Sequence, residues 1–242
     1  MKKFMALLLV AGMTLSLTAC GGSTDTAKTD QAGGKDTFTV GFDQDFPPFG
    51  YVGDDGEFTG FDIEMATECA ARMGKKIVLQ PIDWDAKDME LEAGTIDCIW
   101  NGFTMNGRED QYTWTDPYMD NSQVVVVKKD SGINTLADLA GKVVEVQKES
   151  AAETALNDEE HADLMASFAQ LLSVGEYNTA FMDLESGAVD AVAIDIGVAQ
   201  FQIEGKEDQY QILDETISSE QYAVGFFLGN TALRDEVQST LL

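Results

Sequence analysis

The chain has 242 residues, long enough for one large domain or two modest lobes. Its 43 acidic residues outnumber 15 basic ones and give a formal charge of −28 at pH 7. That balance argues against nucleic acid and anionic lipid surfaces as partners, and otherwise fits a surface that stays soluble outside the cell.

Met1-Lys2-Lys3 is a short basic start, followed by an almost wholly apolar run over 4–17. The run is too short to span a bilayer but has the length of a signal-peptide core. It ends in Leu17-Thr18-Ala19-Cys20, which resembles a bacterial lipobox with Cys20 as the acylated residue. Ordinary cleavage near Ala19 beside a chance cysteine is the alternative. Residues 1–20 are therefore expected to be a lipoprotein signal peptide, and the two acyl chains on Cys20 would suffice for stable anchoring. Residues 21–36 hold no large apolar side chain and are expected to form a flexible tether. The expected location is extracytoplasmic, on the bacterial cell membrane, with membrane contact through the lipid anchor only.

The remainder alternates strand and helix signals. Residues 37–42 read as a strand, and Asp45-Phe46-Pro47-Pro48-Phe49 as a rigid loop, since consecutive prolines exclude helix. Asp54-Asp55-Gly56 marks a turn. Asp62 is expected to cap a helix with Ala66, Cys69, Ala70 and Met73 on its apolar stripe, stopped by Gly74. A strand over 77–82 follows, then a helix capped by Asp85 that runs to Ala93 and ends at Gly94. Residues 96–100 form a further strand, and 124–127 are four valines of the fully buried type. Strands at 143–147, 171–174, 189–194, 210–213 and 222–228 are interleaved with helices at 134–139, 150–156, 177–186, after Asp195 and from Thr231. The pattern predicts an α/β fold with largely parallel sheets, and no internal repeat is visible.

Chemistry concentrates where strands end. After Trp100 the sequence turns through Asn101-Gly102, offers the Thr104 hydroxyl and reaches Arg108. Arginine's planar fork of donors suits bidentate capture of a carboxylate, although pairing with Glu109 or Asp110 on a solvated turn is the plainer alternative. Ser150 opens a helix and brings a hydroxyl and free N–H groups that suit an anion, or serves as an N-cap alone. Asp195 closes another strand and either caps the next helix or meets a cation. Ligands of open α/β sheets bind outside such strand ends. Cys69 and Cys98 read as buried thiols, though an exported protein can join them. His161 lies among acidic residues on an expected solvated helix face. No metal-ligand spacing is present, and no cofactor is implied.

The ordered set Phe46-Pro47-Pro48-Phe49, Gly60-Phe61-Asp62-Ile63-Glu64, Gly94-Thr95-Ile96-Asp97-Cys98, Asn101-Gly102-Phe103-Thr104 with Arg108, Asp116-Pro117-Tyr118, 136–142 and Val189-Asp190-Ala191-Val192 resembles the bacterial extracellular solute-binding proteins of family 3. That resemblance implies a two-lobed periplasmic-binding-protein-like fold of type II, with two crossing hinge segments near 118–122 and 218–222. Lobe 1 would comprise 37–120 and 220–242, and lobe 2 would comprise 121–219. By matching position, Arg108 and Thr104 would hold a ligand α-carboxylate, helped by Ser150 and the N–H of Ala151. Asp195 and the carbonyl of Gly102 would hold the α-ammonium. Phe46 and Trp84 would sandwich the side chain, with Asp43 and Gln147 near its tip. The implied partners are a free polar amino acid, uncharged or cationic in preference, and an ABC transporter permease; a monomer is expected.

Two departures stand out. The link Met105-Asn106-Gly107 is one residue shorter than in relatives, which puts the position of Arg108 in question. Relatives continue through further helical structure beyond the equivalent of Leu242, so the first lobe is expected to lack a packing helix. The rival readings are a ligand-sensing receptor domain and, on the same fold, a cyclic-acid dehydratase with a cleft acid or base. Binding without catalysis is the reading preferred here, because ammonium capture explains Asp43, Asp45 and Asp195 better.

Overall fold

The computed structural model describes residues 36–241. The expected leader with Cys20 and, apart from Asp36, the expected tether lie outside the described residues.

The described residues open with β1 (Thr37–Phe42) and then make a small antiparallel sheet of β2 (Asp45–Phe46), β3 (Gly50–Val52) and β4 (Phe58–Thr59). Only a rigid loop and a turn are predicted there, because strands of two or three residues carry no periodic signal. α1 (Phe61–Arg72) is capped by Gly60, so the expectation that Asp62 caps it is corrected. Asp62 is fully buried within the first turn, where its carboxylate accepts bonds from the Gly102 N–H at 2.5 Å and the Tyr118 hydroxyl at 2.9 Å. β5 (Lys76–Pro81) lies parallel to β1. A 3-10 turn over Trp84–Ala86 precedes α2 (Lys87–Ala93), whose N-cap is Ala86. Asp85 is thus not a cap; it pairs with Lys148 at 2.7 Å. β6 (Cys98–Ile99) is shorter than predicted, since it meets β1 only at Val40 and Gly41. β7 (Tyr112–Trp114) follows.

The chain then passes to a second sheet along β8 (Met119–Lys128). Next come β9 (Val143–Gln147), α3 (Ala151–Asn157), α4 (Ala162–Ser167), β10 (Gln170–Val174) and α5 (Tyr177–Ser186). β11 (Ala191–Asp195), α6 (Ile196–Ile203) and β12 (Tyr210–Ile212) complete that part. β13 (Ser218–Tyr222) returns antiparallel to β8, with Tyr222 opposite Met119. β14 (Gly225–Phe227) rejoins the first sheet, and α7 (Thr231–Leu241) covers it. The predicted strand over 222–228 is therefore divided at Ala223-Val224, where the chain changes sheets.

The first sheet has the order β5-β1-β6-β14-β7 and the second β10-β9-β11-β8-β12, with β13 also on β8. Both are mixed, which corrects the largely parallel expectation. The βα units give parallel pairs at β1–β5, β1–β6, β9–β10 and β9–β11, whereas every pair made by β8 or β14 is antiparallel. Those two strands are the ones next to the crossings, so the exchange between sheets sets their direction.

Alternation fixes the cores. Val124 and Val126 face Tyr177, Ala180, Leu184 and Val198, while Val125 and Val127 face Leu139, Ala152 and Leu156. Both faces of β8 are thus covered, and burying each valine contributes roughly 1.5–3 kcal/mol. In the first sheet Phe38 and Val40 pack with Ala66, Cys69, Trp100 and Val237, and Ile96 and Ile99 pack with Leu91, Phe103 and Trp114 on the other side. A side chain at Gly41 would meet Ile96 Cδ1 at 2.5 Å, so glycine lets Ile96 pack directly on the strand. Cys69 and Cys98 are buried free thiols.

Candidate ligand-binding site

All ten residues singled out from the sequence line one pocket, and Asn101 is the eleventh. They come from both sheets: Asp43, Gly102, Thr104 and Arg108 from loops after β1 and β6, and Gln147, Ser150 and Asp195 from the ends of β9 and β11. Space for water-sized groups between these walls is narrow, about 10 Å³.

One side of the pocket is cationic. The Arg108 guanidinium donates through Nη1 to the Thr104 carbonyl and through Nη2 to the Glu149 carbonyl, each at 3.2 Å. It lies 5.3 Å from the Phe103 ring centroid. Desolvation lowers its pKa from the usual value, but a guanidinium stays charged at any neutral pH. The shortened link therefore still delivers Arg108 to the pocket, held by carbonyls rather than by Glu109 or Asp110. Glu149 adopts a positive φ of 58°, a conformation costing roughly 1–2 kcal/mol outside glycine. Its carboxylate accepts from Lys87 Nζ at 3.0 Å, which helps hold it there. Ser150 caps α3 by accepting from the Glu153 N–H at 3.1 Å, so its capping role is real whatever else it does.

The opposite side is acidic and densely bonded. Asp195 Oδ1 accepts from Asn121 Nδ2 at 2.8 Å, Gln123 Nε2 at 2.8 Å and the Tyr222 hydroxyl at 2.5 Å. The same two amides also donate to Glu220 Oε1, at 2.7 Å from Asn121 and 2.8 Å from Gln123. Glu220 further accepts from the Thr104 hydroxyl at 2.7 Å. Asp195 is N-cap of α6 by position, yet its side chain makes no cap bond. Burial first, and the Glu220 charge second, push its carboxyl up to about 7.

A third group sits where β1 and β9 meet. Asp43 accepts from the Asp45 N–H at 2.8 Å and from Gln147 Nε2 at 2.6 Å, so the two sheets are bonded to each other here. Burial raises the Asp43 carboxyl to about 6. Phe46 packs on Phe49 and Tyr177 with centroids 5.8 and 6.1 Å away, and Trp84 stands edge-on to Phe103 at 5.5 Å. Asp45 turns away and accepts from Asn178 Nδ2 at 2.8 Å. His161 is half-buried at the start of α4 and lines no part of the pocket.

Sequence reasoning did not single out Asn101, Asn121, Gln123, Glu220, Tyr222 or the inward role of Asp62. Among the described residues Asn101 Nδ2 has no hydrogen-bond partner, and it lies in the pocket wall. Asp62 fixes Gly102, whose φ of 56° and close approach to Phe46 and Tyr222 require glycine. The alternation of β8 could have exposed Asn121 and Gln123. Both share one face with Val125, two residues apart, and a polar pair continuing a buried face needs a partner.

The family model for the bacterial extracellular solute-binding proteins of family 3 matches residues 38–242, and the chain belongs to that family. Its relatives include the L-cystine-binding protein TcyJ of Escherichia coli (strain K12), 29% identical over 98% of this chain and 86% of that protein. The arginine-binding extracellular protein ArtP of Bacillus subtilis (strain 168) is also 29% identical, over all of this chain and 92% of its own length. Among solved structures, an ABC uptake transporter substrate-binding protein from Streptococcus pneumoniae with bound histidine superposes with a TM-score of 0.80 at 33% identity, covering 85% of each chain. The fold is the two-lobed α/β architecture of these amino-acid-binding proteins.

Proposed function

We propose that this protein captures a free amino acid between two lobes outside the cytoplasm and delivers it to the permease of an ABC importer. The observation that carries the reading is one pocket lined both by the Arg108 guanidinium, whose own bonds go to two carbonyls, and by the buried carboxylate of Asp195. A cation and an anion so placed match the two charges of an α-amino acid and no simple anion or sugar. Lobe 1 is then 37–120 with 220–242, lobe 2 is 121–219, and β8 and β13 act as the hinge pair. The narrow space between the walls means that entry requires the lobes to part. Catalysis has no role in this reading, because the pocket's acids are occupied by hydrogen bonds that suit holding an ammonium.

The ligand class follows from the far end. Phe46 and Trp84 present aromatic surfaces, which favour a guanidinium, an ammonium or a flat amide. Asp43 repels an acidic side chain and would be left unpaired by an aliphatic one. A polar amino acid, uncharged or cationic, is therefore the expected ligand, and the cystine, arginine and histidine ligands named for the relatives fall in the same range. Calorimetric titration with glutamine, arginine, lysine, cystine, glutamate and leucine tests this. Tightest binding by glutamate or leucine would overturn the ligand class; no binding by any amino acid would overturn the function. Acylation at Cys20 completes the proposal, and Cys20→Ser is expected to move the protein from the membrane fraction into the medium or periplasm.

A further inference from the structure

The two carboxylates at the acidic wall are arranged as a unit. Asn121 Nδ2 and Gln123 Nε2 each have two hydrogens, and each amide divides them between Asp195 Oδ1 and Glu220 Oε1. Two acceptors of one NH₂ group stand on the order of 5 Å apart by ordinary hydrogen-bond geometry. Both acids are about 95% buried, so their repulsion is poorly screened by water. The charged and titratable groups around them are few. Tyr222 from β13 donates to Asp195, Tyr177 from α5 lies within its field, and Arg108 is felt by both acids. Thr104, on the loop after β6, donates to Glu220. Of the two, Asp195 lines the pocket and Glu220 does not.

We propose that Asp195 and Glu220 act as one acidic pair, that Glu220 is a positioning residue for the ligand's α-ammonium, and that capture of the ammonium expels one proton from the pair. This rests on the amino-acid reading of the pocket given above. The balance is simple. A zwitterionic ligand meets a pair holding one proton, the ammonium takes the proton's place beside Asp195, and the proton leaves to water. Glu220 raises the need for that positive charge and, through Thr104, Asn121 and Gln123, fixes where it sits. A ligand without an ammonium would leave the proton in place and would gain nothing from the pair.

The consequence is a pH-dependent affinity whose sign is fixed. Where the Asp195 carboxyl, raised to about 7 by burial, holds its proton, that proton competes with the ligand, so affinity falls on acidification by up to about tenfold per pH unit and levels off once Asp195 is ionised. Asp43, pushed up to about 6 by burial, adds its own dependence at the other end of the pocket. The experiment is calorimetry on the mature protein with the tightest binder among L-arginine, L-glutamine, L-lysine and L-cystine, at pH 6.5 in buffers of differing ionisation enthalpy. Release of more than half a proton per ligand is expected from the wild type, with clearly less from Glu220→Gln. Binding without proton release in the wild type would overturn the inference, and that measurement needs no variant to fold. Equal release by wild type and Glu220→Gln would overturn the role of Glu220. Absence of binding by all four ligands would instead remove the amino-acid reading itself.

Discussion

The two ends of the pocket are built differently. At the acidic wall, Asp195, Asn121, Gln123, Glu220 and Tyr222 all belong to the second sheet or its return strand, and they are bonded to one another before any ligand group is considered. At the other end, Asp43 from the first sheet and Gln147 from the second are joined by one bond across the gap. The acidic wall lies on the hinge pair β8 and β13 and on β11 beside it, where relative displacement of the lobes is smallest, whereas a bond that joins the two sheets away from the hinge is made or broken by their movement. The difference teaches where generality and selectivity reside. On the proposed reading the α-ammonium meets a wall bonded within itself beside the hinge, and the side chain that distinguishes one amino acid from another meets groups that come together on closure.

The largest expected effect comes from the cationic side of the pocket. Arg108→Ala would leave a ligand carboxylate enclosed without its charge-assisted partner, which should weaken binding by about 2–5 kcal/mol in calorimetry. Unchanged affinity would mean that Ser150 and the N–H of Ala151 suffice to hold the carboxylate. A somewhat smaller effect is expected on folding from Asp62→Ala. It strips the acceptor from the buried Gly102 N–H and Tyr118 hydroxyl, at about 1–3 kcal/mol for each group left unpaired. Denaturant midpoints measure that loss, and Tyr118→Phe should cost less, because it removes a donor along with its need for a partner.

The buried acids sharpen the comparison through pH. Burial lifts Asp43 to about 6 and Asp62 and Asp195 to about 7, all above their unfolded values near 4. A raised folded pKa contributes stability that is fully present below the unfolded value and is lost as pH rises through the folded one. The ligand-free protein should therefore melt at a higher temperature at pH 5 than at pH 8, each of the three acids contributing roughly 2 kcal/mol to the difference. Affinity should move the opposite way. Asp62→Asn should flatten the stability profile while leaving the affinity profile sloped.

Much of this was legible in the sequence, for a physical reason. Residues that end strands and open helices announce themselves by composition, which is how Arg108, Ser150 and Asp195 were found. The helix Tyr177–Ser186 is predicted to the residue because Gly187 closes it, and the last helix is predicted to start at about Thr231. Asp62 and Asp85 were misread as caps because an acid near a helix start has the same signature whether it caps, pairs or turns inward. Glu220 was missed because a lone glutamate in Ser218-Ser219-Glu220-Gln221-Tyr222 reads as solvated; only its register against Asn121 on β8 makes it buried. The sheets came out mixed because strand direction depends on where the chain changes lobes, which no local pattern encodes.

The smallest effect concerns the rim of the closing side. Two ion pairs there run in opposite senses: Lys148 to Asp85 at 2.7 Å, and Lys87 to Glu149 at 3.0 Å. Each joins the start of α2 or the turn before it to the loop between β9 and α3, so both are made between the same two pieces of chain. Their surroundings differ. The Lys148 and Asp85 side chains are 55% and 39% exposed, and such a pair contributes about 0–1 kcal/mol, less at high salt. Lys87 is 3% exposed, donates also to the Trp84 carbonyl at 3.4 Å and lies over the Trp84 ring, so removing Glu149 leaves a buried cation short of a partner. Lys148→Ala should thus raise the ligand dissociation rate at most fewfold, and added salt should erase the difference. Glu149→Gln should raise it more, with little salt dependence. Stopped-flow dissociation at about 0.05 and 0.5 M salt separates the two. Equal rates for both variants at both salts would mean that the rim does not govern closure, and would shift the test to the polar bonds inside the cleft, Gln147 to Asp43 and Asn178 to Asp45.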